Sequence, residues 1–145
     1  MYQSLNTIRK NNTPKVEHMT IPTYTSRPYN QQTKGTKAFW GRPFWFSLHY
    51  GALNLPDVLD DEDRRMIFNF ITSLPIFLPC DTCKNHANHY INETPHDFAH
   101  IISSRENVFE FYWRFHNHVN ASTGKRQITL EEAYDIYKNR PESAL

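Results

Sequence analysis

The pattern of apolar and polar positions divides the chain into a first quarter without periodicity and a strongly periodic remainder. Residues 1–38 are rich in Thr, Asn, Gln and Pro and show almost no apolar repeat, so they are predicted to form an extended, largely disordered arm. From Phe39 onward apolar residues recur at helical spacing. Residues 39–145 are therefore predicted to form one domain.

Two helices are predicted before the first cysteine. The first ends before Pro56, because proline cannot continue a helix. Its apolar stripe is Trp45, Leu48, His49 and Ala52. The second begins at a cap formed by Asp60 or Asp61 and stops at Pro75. Its predicted buried stripe is Ile67, Phe70, Ile71 and Leu74.

A third helix and a short fourth one are predicted from the residues that follow. Pro79 favours a helix start at Cys80, and this helix should run to about Asn92. The segment from Thr94 to Asp97 has the composition of a cap followed by a first turn, so it predicts a short helix.

The last two helices are predicted from their caps. Ser104 begins a long helix that Gly124 terminates. Its apolar stripe is Val108, Phe111, Tyr112, Phe115 and Val119. Thr129 and Glu132 form a capping box for the final helix, whose apolar face is Leu130, Ala133, Tyr134 and Tyr137. No segment alternates like a strand, so the predicted fold is all-α, a four-helix bundle with an additional short helix.

Charge and hydropathy give no indication of nucleic-acid binding, a membrane span or a targeting signal. The net charge is +1, yet residues 1–38 carry six basic residues against Glu17 alone. These residues are scattered and not clustered, so a solvated arm is favoured over nucleic-acid binding. No apolar run approaches the length of a membrane span, and the N-terminus lacks a secretory signal. Prolines at 14, 22 and 28 disfavour a mitochondrial presequence, so a soluble protein without an evident targeting signal is predicted.

The two cysteines, Cys80 and Cys83, point to redox or metal chemistry. A C-x-x-C pair at a helix N-terminus places the first sulfur near unpaired N–H groups and the positive end of the helix dipole. Cys80 is thereby stabilised as a thiolate and as a leaving group. Cys83 lies one turn later on the same side, close enough to close a disulfide ring. Cys80 is predicted to face partners, and Cys83 to be the inner sulfur.

The sequence of this pair is also compatible with other kinds of site. Cys80, Cys83, His86 and His89 resemble a zinc quartet, but on one helix Cys80 and His89 would point to opposite sides. A thioredoxin-like site would require a βαβ pattern, which is absent. The pair could also be two unreactive thiols in a plain helical interaction bundle.

The 10 Phe, 8 Tyr and 3 Trp would suit a flat heteroaromatic ligand.

Three blocks in residues 39–140 together resemble the Erv/ALR family of FAD-linked sulfhydryl oxidases. Residues 40–49 (WGRPFWFSLH) are similar to the family's Gly-Arg-x-x-Trp-x-x-Leu-His, and residues 79–83 (PCDTC) to its Pro-Cys-x-x-Cys. Residues 104–106 (SRE), 116–120 (HNHVN) and 124–125 (GK) are similar to its Ser-Arg-Glu helix and His-Asn-x-Val-Asn…Gly-Lys. The order and approximate spacing also agree.

The resemblance implies a helical bundle that holds FAD at its mouth, with the flavin against Cys80 and Cys83 as the catalytic pair. Trp45 and His49 are then expected to pack on the cofactor, and Lys125 to lie near the pyrophosphate. His86, one turn after Cys83, is expected to face the flavin. The full set of expected cofactor-binding residues is Gly41, Arg42, Trp45, His49, His86, His116, Asn117, Val119, Asn120 and Lys125, with His116, Asn117 and Asn120 on the adenine and ribose side; no metal site is expected. His96 and His100 are expected at the surface.

The implied reaction is the oxidation of thiols in a partner protein, with reduction of O₂ to H₂O₂, by a homodimer. The long helix carries Trp113 about where family members usually have a structural cysteine, and residues 1–38 contain no shuttle cysteines. The partner's thiols are therefore expected to reach Cys80 directly. This minimal cysteine set resembles the oxidases of large cytoplasmic DNA viruses, which implies the host cytoplasm or the virion more than the mitochondrial intermembrane space. The alternative function is a non-catalytic, zinc-binding helical module.

Overall fold

The computed structural model describes residues 19–21 and 36–139, and within these ranges every regular element is helical. Its elements are α1 (Lys37–Leu53), α2 (Asp61–Phe77), α3 (Asp81–Asn88), a π-helical turn (His89–Glu93), α4 (Phe98–Ile101), α5 (Arg105–Ser122) and α6 (Leu130–Lys138). The predicted all-α fold is confirmed. The π-helical turn continues α3 to Glu93, so the predicted helix from Cys80 to about Asn92 is essentially one continuous segment.

The helix starts follow from local capping chemistry. Asp60 and Asp63 form a reciprocal capping box at the start of α2, which decides between the two predicted caps. Ser104 Oγ accepts a hydrogen bond from the Asn107 N–H at the start of α5. Thr129 and Glu132 form the predicted box at α6. Each cap satisfies amide groups that the first turn of a helix leaves unpaired.

Gly124 lies directly after the C-cap of α5, where a helix-terminating glycine was predicted. Its φ of 68° is in the left-handed region, which glycine adopts without the steric penalty of a Cβ. The chain then turns through residues 125–129 before α6 begins. This turn brings α6 back against α1 and α5.

Two predictions about α2 are wrong. Pro75 does not stop the helix, which continues to Phe77; the missing N–H of Pro75 costs one hydrogen bond close to the helix end. Phe70, predicted to be buried, is 52% exposed, whereas Phe68 is 2% exposed. The buried face is rotated toward Phe68 and Thr72, and the Thr72 hydroxyl is satisfied by donating to the Phe68 carbonyl at 2.9 Å.

The core lies between α1, α5 and α6 on one side and α2, α3 and the π-helical turn on the other. Phe109 and Phe115 of α5 are its largest fully buried side chains. Ile71 of α2, Ile91 of the π-helical turn and Ile102 after α4 pack into the same cluster. α5 is therefore the central helix of the fold, and the other helices pack around it.

The predicted N-terminal arm lies mostly outside the described residues. Met19, which is described, is partly buried against the core. α1 begins at Lys37, two residues before the predicted domain boundary. The division into an arm and a domain stays a prediction. Among residues 19–21 and 36–139, no helix is both long and apolar enough to cross a membrane.

Candidate functional site

Cys80 and Cys83 are joined in a disulfide at the start of α3, with their Cα atoms 5.1 Å apart. Cys80 is the N-cap residue, and its Sγ accepts a hydrogen bond from the Cys83 N–H at 3.3 Å. The sulfur thus occupies the place of a capping oxygen, at the positive end of the helix dipole. Because the same N–H would stabilise a thiolate, the local structure favours Cys80 as the exchanging sulfur.

A cavity of about 1480 Å³ opens beside this disulfide. Its walls come from α1, α3, α5, the turn after α5, and α6. Cys83 is one of the lining residues, whereas Cys80 is not. The volume exceeds the roughly 300–1,000 Å³ typical of small-molecule pockets. It suits an extended ligand such as a dinucleotide, with one end against Cys83.

Two parallel ring pairs line or support the cavity. The Trp45 indole and the His116 imidazole are stacked at 4.0 Å with an interplanar angle of 6°. The His49 imidazole and the Tyr137 ring are stacked at 4.2 Å with an angle of 8°. Trp45, His116 and Tyr137 line the cavity, and His49 lies behind the wall at 0% exposure. One stack thus connects α1 to α5, and the other connects α1 to α6.

Both histidines are held neutral. Burial lowers the pKa of His49 to about 4, although the hydrogen bond to the Trp45 carbonyl opposes the shift. Burial first, and then the proximity of two other groups that can carry positive charge, His49 and Lys125, lower the pKa of His116 to about 3. His49 Nδ1 donates to the Trp45 carbonyl at 2.8 Å, so its Nε2 is the unprotonated nitrogen.

Two buried ring nitrogens in the described residues have no hydrogen-bond partner, His49 Nε2 and His116 Nδ1. Unpaired polar atoms in a protein interior are costly, and they commonly mark a place where a ligand supplies the partner. His116 stands in the cavity wall. This feature fits a ligand that combines flat rings with hydrogen-bonding edges.

The charge of the cavity wall is mainly positive. Its basic lining residues are Lys37, Arg42, Lys125 and Arg126, and Asp135 is the acidic one. Arg126 is paired with Glu132 at 2.9 Å. Lysine and arginine side chains bind phosphate as point charges or as bidentate donors. The cavity therefore combines aromatic side chains with cationic side chains suited to phosphate groups.

Comparison with known proteins places this geometry in a family. Residues 42–139 match the sequence model of the Erv1/Alr family. The chain belongs to the Erv1/Alr family. This match includes Cys80, Cys83 and most of the cavity wall, so the family and the structure point to the same region.

Several proteins named as FAD-linked sulfhydryl oxidases are similar to this chain. A protein of Invertebrate iridescent virus 3, named as an FAD-linked sulfhydryl oxidase, is 38% identical over 99 residues, which are 68% of this chain and 66% of that protein. An African swine fever virus protein of the same name is 31% identical over 104 residues, covering 68% of this chain and 80% of that protein. The chain thus matches just under two thirds of the length of the iridescent virus protein.

The solved structure of the yeast Erv1 core has the same fold. It superimposes with a TM-score of 0.66 over 81% of this chain and 96% of the yeast chain, at 24% sequence identity. At this identity the likeness concerns the helical fold alone. The predicted family resemblance and the predicted fold are confirmed.

Most of the residues that the Erv/ALR resemblance singled out converge on the cavity. Its lining includes Gly41, Arg42, Trp45, Cys83, His86, His116, Val119, Asn120 and Lys125. His49 supports the wall from behind, through Tyr137. Asn117 is placed differently: it is buried, it does not line the cavity, and its side chain is bonded to the backbone of Ile128. A contact between Asn117 and the adenine side of a cofactor stays a prediction that its position does not support.

Some residues of the site were missed from the sequence. Trp40, Phe44, Phe115 and Tyr137 also line the cavity, and so does Arg126. Phe115 and Tyr137 were assigned only to apolar stripes, and the distinction between core and cavity wall depends on how helices pack. His96, expected at the surface, is half-buried, and its Nε2 donates to the Tyr90 carbonyl at 2.6 Å. His100 is exposed, as expected.

The zinc interpretation gains no support from this geometry. Cys80 and Cys83 are bonded to each other, and His89 Nδ1 lies 2.9 Å from a Glu93 carboxylate oxygen. In the part of the chain that the structure describes, no three His, Cys, Asp or Glu side chains converge as metal ligands would.

Proposed function

We propose that this protein is an FAD-dependent thiol oxidase that forms disulfides in partner proteins and passes the electrons to O₂, producing H₂O₂. The observation that carries the proposal is that Cys83 of a C-x-x-C disulfide lines an aromatic and cationic cavity of dinucleotide size. The names of the viral relatives support the same activity. The family match covers both cysteines.

The residues present fit FAD. The rings of Trp45, His116 and Tyr137 would pack against its flat ring systems, and Arg42 and Lys125 would neutralise its diphosphate. The unpaired nitrogen of His116 offers a hydrogen-bonding group in the same wall. When bound, FAD supplies a two-electron acceptor that O₂ can reoxidise.

The chain's own residues carry out the thiol chemistry. A partner thiolate attacks Cys80 Sγ, the Cys80–Cys83 bond breaks, and Cys83 leaves as a thiolate. The partner's second thiolate then attacks the mixed disulfide, which releases the partner's new disulfide and frees the Cys80 thiolate. The Cys80–Cys83 disulfide then re-forms, and the two electrons that the two thiolates lose would be accepted by FAD held in the cavity that Cys83 lines. The partner's two thiols thus lose two electrons and form a disulfide. The Cys80–Cys83 pair gains these electrons and loses them again when its own disulfide re-forms.

The partner must reach Cys80 directly. The chain's two cysteines are both in this pair, so no further cysteine in it can relay electrons. The substrate class is therefore a protein with two neighbouring thiols in an accessible segment. We propose that the activity takes place in the host cytoplasm or the virion, and the viral relatives support this.

We also propose that the protein acts as a homodimer. An exposed apolar stripe on α2 supports this, formed by Met66, Phe70 and Phe77. A twofold axis could place the stripes of two copies against each other, since such interfaces are self-complementary. Light scattering should give a dimeric mass for the wild type and a monomeric mass for Phe70→Glu. Val58→Glu, at an exposed apolar residue outside the stripe, should remain dimeric; a monomeric wild type would contradict the proposal.

The test of the oxidase function is the visible absorption spectrum of the purified protein. A flavin spectrum that bleaches when a dithiol is added anaerobically, and returns with air, is the expected result. A colourless protein that takes up no added FAD would overturn the proposal. Zinc analysis of the same sample would then test the alternative of a metal-binding module.

A further inference from the structure

One residue between α5 and α6, Ile128, makes three backbone hydrogen bonds with side chains of α5. The Trp113 indole Nε1–H donates to the Ile128 carbonyl at 2.7 Å. Asn117 Nδ2–H donates to the same carbonyl at 2.7 Å, and the Ile128 N–H donates to Asn117 Oδ1 at 3.0 Å. Both polar groups of Ile128 are thus satisfied by side chains one turn apart on α5, all of them at least partly buried.

The location of Ile128 gives this contact a consequence for the cavity. Ile128 directly precedes Thr129, the N-cap residue of α6. α6 in turn carries Tyr137, which lines the cavity and stacks on His49 at 4.2 Å. A shift of Ile128 would therefore move the start of α6 and, with it, the wall that Tyr137 forms.

We infer that Trp113 and Asn117 are positioning residues that tether α6 to α5 and so hold the Tyr137 wall of the cavity in place. Trp113 does not line the cavity, so it acts through Ile128 and not on the ligand. The inference rests on the proposed function in so far as the ligand is FAD. Since the chain's cysteines are Cys80 and Cys83 alone, the tether contains no group that thiols can reduce. It is intact whether the redox pair is oxidised or reduced.

The test compares two tether variants with a control on the same helix. Trp113→Phe keeps an aromatic ring but removes the N–H, and leaves the Ile128 carbonyl with one donor. Asn117→Ala removes two hydrogen bonds and leaves the Ile128 N–H unpaired. Glu110→Gln serves as the control, since it disturbs only an exposed pair with Arg114. Two quantities are measured in the flavin-loaded protein: the FAD dissociation rate, and hydrogen–deuterium exchange in peptides from 125–138 at saturating FAD.

Trp113→Phe should raise the FAD dissociation rate about fivefold, as expected for one net hydrogen bond. Asn117→Ala should raise it more than about tenfold. Both variants should exchange faster in 125–138, because an opened tether frees the start of α6. Glu110→Gln should change neither quantity. In the wild type, exchange in this segment should be the same before and after reduction of Cys80–Cys83 with a dithiol.

Different results identify different errors. An unchanged FAD rate and unchanged exchange in Trp113→Phe would overturn the tether, and this variant decides the matter if Asn117→Ala does not fold. A third result is that only Asn117→Ala binds FAD weakly, while exchange in 125–138 is not faster in that variant. This result would mean that Asn117 contacts the ligand directly. A wild type that binds no flavin would refute the proposed function, yet the same exchange comparison, made without FAD, would still decide whether the tether exists.

Discussion

The imidazole of His116 lies parallel to the indole of Trp45, with ring centroids 4.0 Å apart. Trp45 belongs to α1 and His116 to α5, so the stack joins the two helices that contact each other most extensively. The same indole meets Phe115 edge-on at 5.2 Å. Trp45 therefore fixes the relative position of α1 and α5 where both of them form the cavity wall.

Replacing Trp45 should weaken both the fold and the cavity. Trp45→Ala is expected to lower the free energy of unfolding by about 2 kcal/mol, since a partly buried ring and its aromatic pairs are lost. FAD occupancy of the purified protein should fall as well. Urea unfolding and the ratio of flavin to protein absorbance measure the two effects. Phe39→Ala, at a 77% exposed ring on the same helix, is the matched control; equal stability of the two variants would contradict this role of Trp45.

Stability should decrease as the pH falls below about 6.5. His49 has a pKa of about 4 in the folded protein, against about 6.5 in the unfolded chain. The unfolded state therefore binds more protons between these values, and stability present above pH 6.5 is lost on acidification toward pH 4. At pH 5 this buried histidine alone should cost about 2 kcal/mol relative to pH 7.5. His116, with a pKa of about 3, adds to the loss in the same direction.

Urea unfolding at constant excess FAD between pH 7.5 and 4.5 measures this dependence. His116→Phe keeps a ring against Trp45 but cannot take up a proton, so its curve should be flatter than that of the wild type. A free energy of unfolding that stays level or rises from pH 7 to 5 would show that the histidines are not held neutral by the fold.

Cys83→Ser should separate cofactor binding from thiol chemistry. The substitution keeps the size of the side chain in the cavity wall, so FAD should remain bound. Addition of a dithiol should then no longer bleach the flavin, because the Cys80–Cys83 disulfide cannot form. Anaerobic titration of the variant, followed by its visible spectrum, checks both outcomes. Normal turnover by Cys83→Ser would remove Cys83 from the mechanism.

The helix starts could be predicted from sequence because their causes are local. The Asp60, Ser104 and Thr129 caps each act on an amide three residues away. The same holds for Cys80, whose sulfur caps α3 through the Cys83 N–H. A capping residue and its target lie within one turn, so the sequence alone contains both partners of the interaction.

The features that could not be predicted depend on distant contacts. Asn117 was assigned to the cofactor from its motif, but its partner Ile128 is 11 residues away, across the turn after α5. Tyr137 was assigned to an apolar face, and only the packing of α6 against α1 shows that this face borders a cavity. Phe70 lies at the edge of the stripe on α2, and which edge is buried depends on the helices that cover it.

Phe109 of α5 and Phe70 of α2 offer a direct test of which side chains the fold buries. Phe109 is 0% exposed, stacks on Tyr134 at 4.4 Å and meets His49 edge-on at 5.4 Å. Phe109→Ala should therefore lower the free energy of unfolding by about 3–5 kcal/mol, the range for a fully buried ring. Phe70→Ala should change it by less than about 0.5 kcal/mol in the monomer, as for other surface substitutions.

The two variants should also differ in how they depend on protein concentration. If α2 stripes pair in a homodimer, Phe70→Ala loses stability only where the wild type is dimeric, because dimerisation stabilises by mass action. Phe109→Ala should lose the same amount at every concentration. Urea unfolding at two protein concentrations distinguishes these cases. Equal losses for both variants at low concentration would mean that Phe70 is buried in the monomer, contrary to its 52% exposure in the structure.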